Sequence, residues 1–159
     1  MARRKRPKIG TVPPDRKHPR TAPGADPALH DRETIVWAFG IADLDGPWGW
    51  RTVAGRIWWS ELLPKLRDFE TMTWEEIMRA AGGRARGNNN HFVSVEKFTR
   101  PAKERLAALG QEDISELFSL RLTATTRIYG IRDRRALKLL WYDPHHGTND
   151  RAVYPVRSR

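Results

Sequence analysis

The sequence has no cysteine, no apolar run long enough to cross a membrane, and no apolar segment behind its basic N-terminus. Without cysteine the chain cannot hold a disulfide framework, a thiol nucleophile or a zinc–thiolate site. Without a long apolar run we expect no transmembrane helix. A basic N-terminus that lacks an apolar segment is not typical of a signal peptide. We therefore expect a soluble, cytoplasmic protein that does not contact a membrane.

Positive charge is abundant. The 159 residues carry a formal net charge of +10, and the sequence pI is near 10.6. A chain this basic favours polyanions, most often nucleic acid and sometimes an acidic protein. Residues 1–32 hold nine Lys and Arg against three Asp, with many prolines and little to bury. We predict a disordered basic tail over 1–32, serving solubility or phosphate contact, and a single domain over 33–159.

The first part of the domain shows one strand and several helices. β-Branched and aromatic residues over 34–45 predict a strand. Apolar spacing and N-cap signals predict helices over 53–69, 73–82 and 94–110. Thr73 and Glu76 have the spacing of a capping box. Pro64 and Pro101 are expected to disturb the helices that contain them.

The remaining domain shows strand patterns. Apolar alternation over 117–122, 127–131 and 137–142, with turns "TATT" and "RDRR" between, predicts an antiparallel β-meander. The expected fold class is α+β, with the meander packed on one face against two or three helices.

Antiparallel pairing of the first two meander strands brings Arg121 near Arg127, and Ser119 and Tyr129 share their alternation. If the helices cover one face, these four side chains form a basic, hydroxyl-bearing patch on the other. Planar guanidinium groups match phosphate oxygens, so the patch could hold phosphate. Alternatively, it is the solvated face of a half-exposed sheet.

Two histidines and a tyrosine follow the last strand. His145 and His146 are candidate general acids or bases, whose pKa neighbouring arginines would lower and Asp143 would raise. A metal site would need more ligands than this turn offers, and a plain surface loop is the other reading. Tyr154 could stack on a base or move a proton, or it could anchor the C-terminal segment in the core.

Seven tryptophans are present, six of them before residue 75. They could stack nucleobases, but their strand and helical spacing favours core packing for most of them. Trp48 and Trp50, on either side of Gly49 in a turn, are the ones we expect to be exposed. His91, in an Asn-rich loop, is also expected to be exposed.

The segment "LFSLRLTATTRIYGIRDRRALKLLWYDPHHGTNDRAVYP", from Leu117 to Pro155, resembles the end of the RelE/ParE toxin superfamily of bacterial toxin–antitoxin systems. It has a strand closing in Leu-Arg, a strand opening with Arg, a hydrophobic strand, then a loop and a Tyr. The helix "VEKFTRPAKERLAALG" before it suits the helix that packs on this sheet. The chain departs from the family in its length, its extra N-terminal strand and tail, its lack of a lysine pair before Arg121, and its "GTND" insertion.

The resemblance implies a RelE-like fold and a ribosome-dependent mRNA endonuclease that uses the RNA 2′-hydroxyl as nucleophile, without metal or other cofactor. It implies mRNA and the ribosome as partners, and inhibition by a small acidic antitoxin. The implied catalytic residues are Arg121, Arg127, His145, His146 and Tyr154. We also predict that Ser119, Tyr129, Arg134, Arg135 and Arg151 bind RNA. Because the superfamily includes gyrase inhibitors, the alternative is a non-enzymatic module of the same fold, either gyrase-inhibiting or RNA-binding.

Overall fold

A five-stranded mixed sheet organises the chain. The computed structural model describes residues 27–80, 89–148 and 151–155. The strands are β1 (Val36–Ala38), β2 (His91–Ser94), β3 (Glu116–Arg121), β4 (Arg127–Asp133) and β5 (Ala136–Asp143), in the order β1-β5-β4-β3-β2. β1 is parallel to β5, and the other pairs are antiparallel. The predicted α+β class and the meander of the last three strands are confirmed.

Within these described ranges, four short α-helices lie around the sheet: α1 (Gly55–Ile57), α2 (Leu63–Glu70), α3 (Trp74–Arg79) and α4 (Arg100–Ala108). A π-helical turn, Trp58–Leu62, joins α1 to α2. Pro101 lies in the first turn of α4, where its missing N–H loses no helical partner, and not in the middle of a helix as predicted. Pro64 directly follows the π-helical turn within a helical path over 55–70, so that path is irregular where the sequence predicts a disturbance.

The predicted capping box of α3 is present. The Glu76 N–H donates to the Thr73 hydroxyl, and the Thr73 N–H donates to the Glu76 carboxylate at 2.7 Å. The helix ends at Arg79, before the predicted stop at Gly82, which lies outside the described residues. Gly110 follows α4 with φ +68°, so the predicted stop of that helix is confirmed.

Two strand predictions need correction. The predicted strand over 34–45 shortens to β1, because the chain turns after Phe39 and the Asp43 N–H then bonds the Leu140 carbonyl at 3.0 Å. Residues 91–94, predicted as loop and helix start, form edge strand β2 against β3. Their short sequence shows no clear alternation, and the free edge of β3 supplies their hydrogen-bond partners.

Both faces of the sheet are covered, so the prediction of helices on one face only is wrong. The first core contains α2 and α3 residues with alternate sheet residues: Leu62, Leu66, Trp74, Ile77, Phe118, Leu120, Ile128, Leu137, Leu139 and Tyr142. The second core joins α4 to the opposite face: Phe98, Ala102, Leu106, Leu117, Tyr129, Leu140, Trp141 and Val153. Each face therefore excludes water from its centre.

The tryptophans mostly serve these cores. Trp48, predicted to be exposed, is 3% exposed; its ring packs against Trp141 with centroids 5.2 Å apart. Trp50, predicted likewise, is half-buried and donates its indole N–H to the Leu140 carbonyl. Trp59 is the exposed one, at 68%.

Residues 27–32, assigned by sequence to the tail, take part in the fold. Pro27–His30 forms a 3-10 turn, and the Asp31 carboxylate pairs with Arg132 at 2.6 Å. The predicted tail is therefore too long at its C-terminal end, and its residues 1–26 lie outside the described residues. Among the described helices, none has the length and apolar character needed to span a membrane.

Candidate functional site

The arginine pair lies where the sequence predicts it. Arg121 lies opposite Arg127 across β3 and β4, and Ser119 lies opposite Tyr129. The patch is not an open, wet surface, however. Ser119, Tyr129 and Arg127 are 1%, 0% and 7% exposed, because α4 and the C-terminal segment cover this face. Arg121, at the end of β3, is only partly buried and is the arginine that a ligand can reach.

The "TATT" turn holds both guanidinium groups. One terminal nitrogen of Arg127 donates to the carbonyls of Thr123 and Thr126 at 2.7 and 3.0 Å. Nε of Arg121 donates to the same Thr123 carbonyl at 3.2 Å. Burial lowers the pKa of Arg127 to about 10, and the nearby charge of Arg121 acts in the same direction. Arg127 therefore stays cationic at neutral pH, with its charge close to that of Arg121.

Two asparagines position Arg121. A terminal nitrogen of Arg121 donates to Oδ1 of Asn89 at 2.6 Å, and the Arg121 backbone N–H donates to Oδ1 of Asn90 at 2.8 Å. Asn90 is 3% exposed, and its amide also donates to the Ile77 carbonyl at 2.8 Å. Sequence reasoning missed both residues within an asparagine-rich loop. Only the tertiary contacts separate these buried amides from ordinary loop residues.

Asp143 anchors the segment that carries the two histidines. It ends β5, is 0% exposed and lies opposite Arg127. Its Oδ1 accepts from the His145 N–H at 2.8 Å, and its Oδ2 accepts from the Val153 N–H at 2.9 Å. Burial raises the pKa of Asp143, although these two N–H groups and the charges of His145 and Arg127 act against that rise.

His146 is the histidine that faces the arginine pair. Burial lowers its pKa to about 4, and the charges of Arg127, His91 and Arg121 act in the same direction. Its backbone N–H donates to the Thr125 carbonyl at 2.9 Å, and this bond ties it to the arginine-holding turn. Its Nδ1 atom is buried and has no hydrogen-bond partner among the described residues. The ring is therefore neutral at pH 7.

Two tyrosines lie near the arginine pair and His146. The Tyr154 ring stacks on His146, with centroids 6.3 Å apart and planes 30° apart, and also packs against the second core. The Tyr129 ring packs against Phe98 in that core. Burial and the Asp143 charge raise the pKa of the Tyr129 phenol, and Ser119 and Arg127 only partly oppose that rise. Tyr129 thus remains a protonated phenol.

Other predicted residues lie elsewhere. His145 contacts the cluster through Asp143 rather than through the arginines. Arg134 and Arg135 occupy the β4–β5 turn, where Arg135 is 3.9 Å from Glu33. At about 3.3 Å per residue along β4, this turn is roughly 20 Å from Arg127. Arg134 and Arg135 therefore lie away from the arginine pair, and their predicted contact with RNA stays a prediction.

Two further residues flank the cluster. Arg151 is exposed and contributes a backbone carbonyl that accepts the Trp48 indole N–H at 2.8 Å. His91 is exposed as predicted, but strand β2 also brings it opposite Ser119, so its charge reaches His146. Sequence reasoning missed this place in the cluster because it missed β2. We name the assembled set of Arg121, Arg127, His91, His146 and Tyr154 the arginine–histidine cluster.

The overall charge is carried elsewhere. The described residues contain 17 Lys and Arg and 16 Asp and Glu, whereas residues 1–26 contain eight Lys and Arg and two Asp. Within the described ranges, no group of three or more His, Asp or Glu could hold a metal ion. The arginine–histidine cluster is therefore a local cationic site on a nearly neutral domain.

Comparison of the chain with protein-family models, curated proteins and solved structures found no match. The RelE/ParE resemblance therefore rests on the segment 117–155 and its placement in the meander.

Proposed function

We propose that the chain is a RelE-like toxin: a metal-independent endonuclease that cuts mRNA at the ribosome and is neutralised by a small acidic antitoxin. The observation that supports it is the neutral His146 held beside the fixed arginine pair. A base next to two guanidinium groups has the composition needed for phosphodiester cleavage without a metal.

The proposed reaction begins when the neutral His146 accepts the proton of an RNA 2′-hydroxyl. The 2′-oxygen then bonds to the adjacent phosphorus, and the phosphorus–5′-oxygen bond breaks. The products are a 2′,3′-cyclic phosphate and a 5′-hydroxyl. Arg121 contacts the phosphate directly, while the less exposed Arg127 stabilises the negative charge of the phosphorane from behind. In this proposal the phenol of Tyr154, whose ring stacks on His146, protonates the leaving 5′-oxygen.

The test is cleavage of mRNA in purified ribosome complexes. His146→Gln should lower the cleavage rate by about 10²- to 10⁴-fold, since it removes the base. His30→Gln is the matched control, because His30 bonds Glu33 at the far end of the sheet. His145→Gln separates the adjacent histidines and should cost far less than His146→Gln. An unchanged rate in His146→Gln would rule out this assignment, and an inactive wild type would rule out the nuclease.

A non-enzymatic binder of the same fold is the second candidate. It is favoured by the burial of Arg127 and by the location of most of the net charge in residues 1–26. A binder of this kind would leave RNA uncut, and its affinity would fall steeply with salt. Deleting residues 1–26 should flatten that salt dependence. A gyrase-inhibiting toxin would instead cause DNA damage while mRNA stays intact.

An exposed apolar patch supports a protein partner. Phe39 and Leu44 are 48% and 46% exposed. Phe39 and Leu44 line a groove of about 410 Å³ together with Trp50 and Trp58. Clustered apolar exposure is typical of protein–protein contact surfaces. The patch favours a protein partner in general, and the acidic antitoxin is what the family resemblance adds.

A further inference from the structure

Asp143 is a buried carboxylate that the proposed reaction does not use. It is 0% exposed at the end of β5, yet no described lysine or arginine lies at ion-pair distance from it. Burying a carboxylate without a direct counter-ion is costly. Such a group needs an explanation beyond filling space in the core.

Both carboxylate oxygens of Asp143 accept hydrogen bonds from backbone N–H groups, and each donor residue directly precedes a ring of the cluster. Oδ1 accepts from His145 N–H and Oδ2 from Val153 N–H. The residues that follow these two are His146 and Tyr154, whose rings stack on each other. One carboxylate thus ties together the two ends of the segment and determines where both rings lie.

The same side chain lies opposite Arg127 in the β4–β5 register. Arg127 is 7% exposed, donates to the Thr123 and Thr126 carbonyls of the turn, and lies beside the like charge of Arg121. Burial and the Arg121 charge lower the pKa of Arg127, whereas Tyr129 and then the Asp143 charge act against that fall. Losing this charge would make it more costly to keep two adjacent arginines at the site.

We infer that Asp143 is a positioning residue of the arginine–histidine cluster: it holds His146 and Tyr154 against the arginine pair and balances the buried charge of Arg127. The inference rests on the proposed nuclease function, but its geometric part concerns the location of His146 and can be measured without any RNA. Asp143 acts through the backbone N–H groups of His145 and Val153, the residues that precede His146 and Tyr154.

The perturbation is Asp143→Asn, which keeps the size of the side chain but places an amide against one of the two N–H donors. The RNA cleavage rate at saturating RNA should fall about 100-fold, because a displacement near 1 Å can cost that much. The KM for RNA should change by less than about threefold if Arg121 still makes the first contact. Asp133→Asn, at the exposed end of β4 where Asp133 pairs with Lys138, is the matched control.

A second measurement follows the His146 ring by NMR titration. In wild type its pKa should lie near 4, and in Asp143→Asn it should rise toward the ordinary 6.5 as the ring leaves the arginines. An active wild type, with Asp143→Asn equally active and the His146 pKa unmoved, would overturn the inference. A wild type that cuts no RNA would instead overturn the proposed function, while the titration still tests the positioning.

Because Asp143→Asn could fail to fold, a second variant leaves the buried group intact. Two glycines inserted after the exposed Gly147 lengthen the segment between the anchored ends. Exposed loops tolerate such insertions. If Asp143 holds both ends, the cleavage rate should stay within about threefold of wild type. A loss near 100-fold in this folded variant would show that the intact loop, and not Asp143, positions the rings.

Discussion

Because His146 is neutral in the folded protein, we expect acid to lower the free energy of unfolding by an amount that its pKa determines. The folded pKa is about 4, whereas an unfolded histidine titrates near 6.5. Between these values the unfolded chain binds a proton that the folded chain does not bind. The free energy of unfolding is therefore highest above pH 6.5 and falls as the pH drops toward 4.

The magnitude follows from the shift. At pH 4.5 the difference in proton binding costs the fold about 2 kcal/mol relative to pH 7. In His146→Gln this contribution is absent, since glutamine does not titrate. Other titrating groups are common to both proteins, so their contributions cancel in the comparison. Asp143 is one of them: its pKa is raised, so its contribution to the pH dependence of stability has the opposite sign.

Urea unfolding followed by tryptophan fluorescence, at pH 7 and pH 4.5, measures this difference. The wild type should lose about 2 kcal/mol more than His146→Gln on acidification. His30→Gln, which changes a histidine at the opposite end of the sheet, should follow the wild type. Parallel losses in wild type and His146→Gln, agreeing within about 0.5 kcal/mol, would refute the burial of His146 beside the arginines.

Two further predictions concern the frame of the site. Asp43 is buried under hydrogen bonds from Arg105 and the Trp141 indole. Burial raises the pKa of Asp43, but these bonds outweigh burial and hold it at about 2. Asp43→Ala should therefore lower the free energy of unfolding by about 3 kcal/mol at pH 7, and by less as the pH falls from 3.8 toward 2. A loss below about 1 kcal/mol in urea unfolding would contradict this prediction. Gly130 lies at a bulge where a Cβ would meet the Lys138 carbonyl oxygen at 2.5 Å. Gly130→Ala should therefore lower the free energy of unfolding by about 2 kcal/mol. An unchanged urea midpoint would show that the two strands can separate there.

Much of the fold can be predicted from local pattern. Alternation over 117–142 gives the meander strands, and the "TATT" turn then brings Arg121 opposite Arg127. The spacing of Thr73 and Glu76 gives the cap of α3, and Gly110 gives the end of α4. Each of these features depends on neighbours within a few residues, so the sequence carries the signal directly.

Other features depend on what surrounds the segment. They are strand β2 and the helical conformation at Pro64 and Pro101. A four-residue strand such as β2 forms because the edge of β3 offers it hydrogen bonds. The π-helical turn before α2 carries the helical path to Pro64. Neither effect can be read from spacing alone, since both arise from what surrounds the segment.

The candidate site divides in the same way. By itself, the sequence determines the arginine pair, the two histidines after the last strand and the terminal tyrosine. Only the tertiary structure decides that His146 rather than His145 faces the arginines, that His91 joins them, and that Arg134 and Arg135 lie at the other end of the sheet. The physical reason is that alternation tells which side chains share a face, whereas burial and charge depend on what packs over that face. Here α4 and the Asp143-anchored segment cover the face that the sequence predicts to be exposed. The result is a largely buried site with a partly exposed Arg121 and a neutral His146.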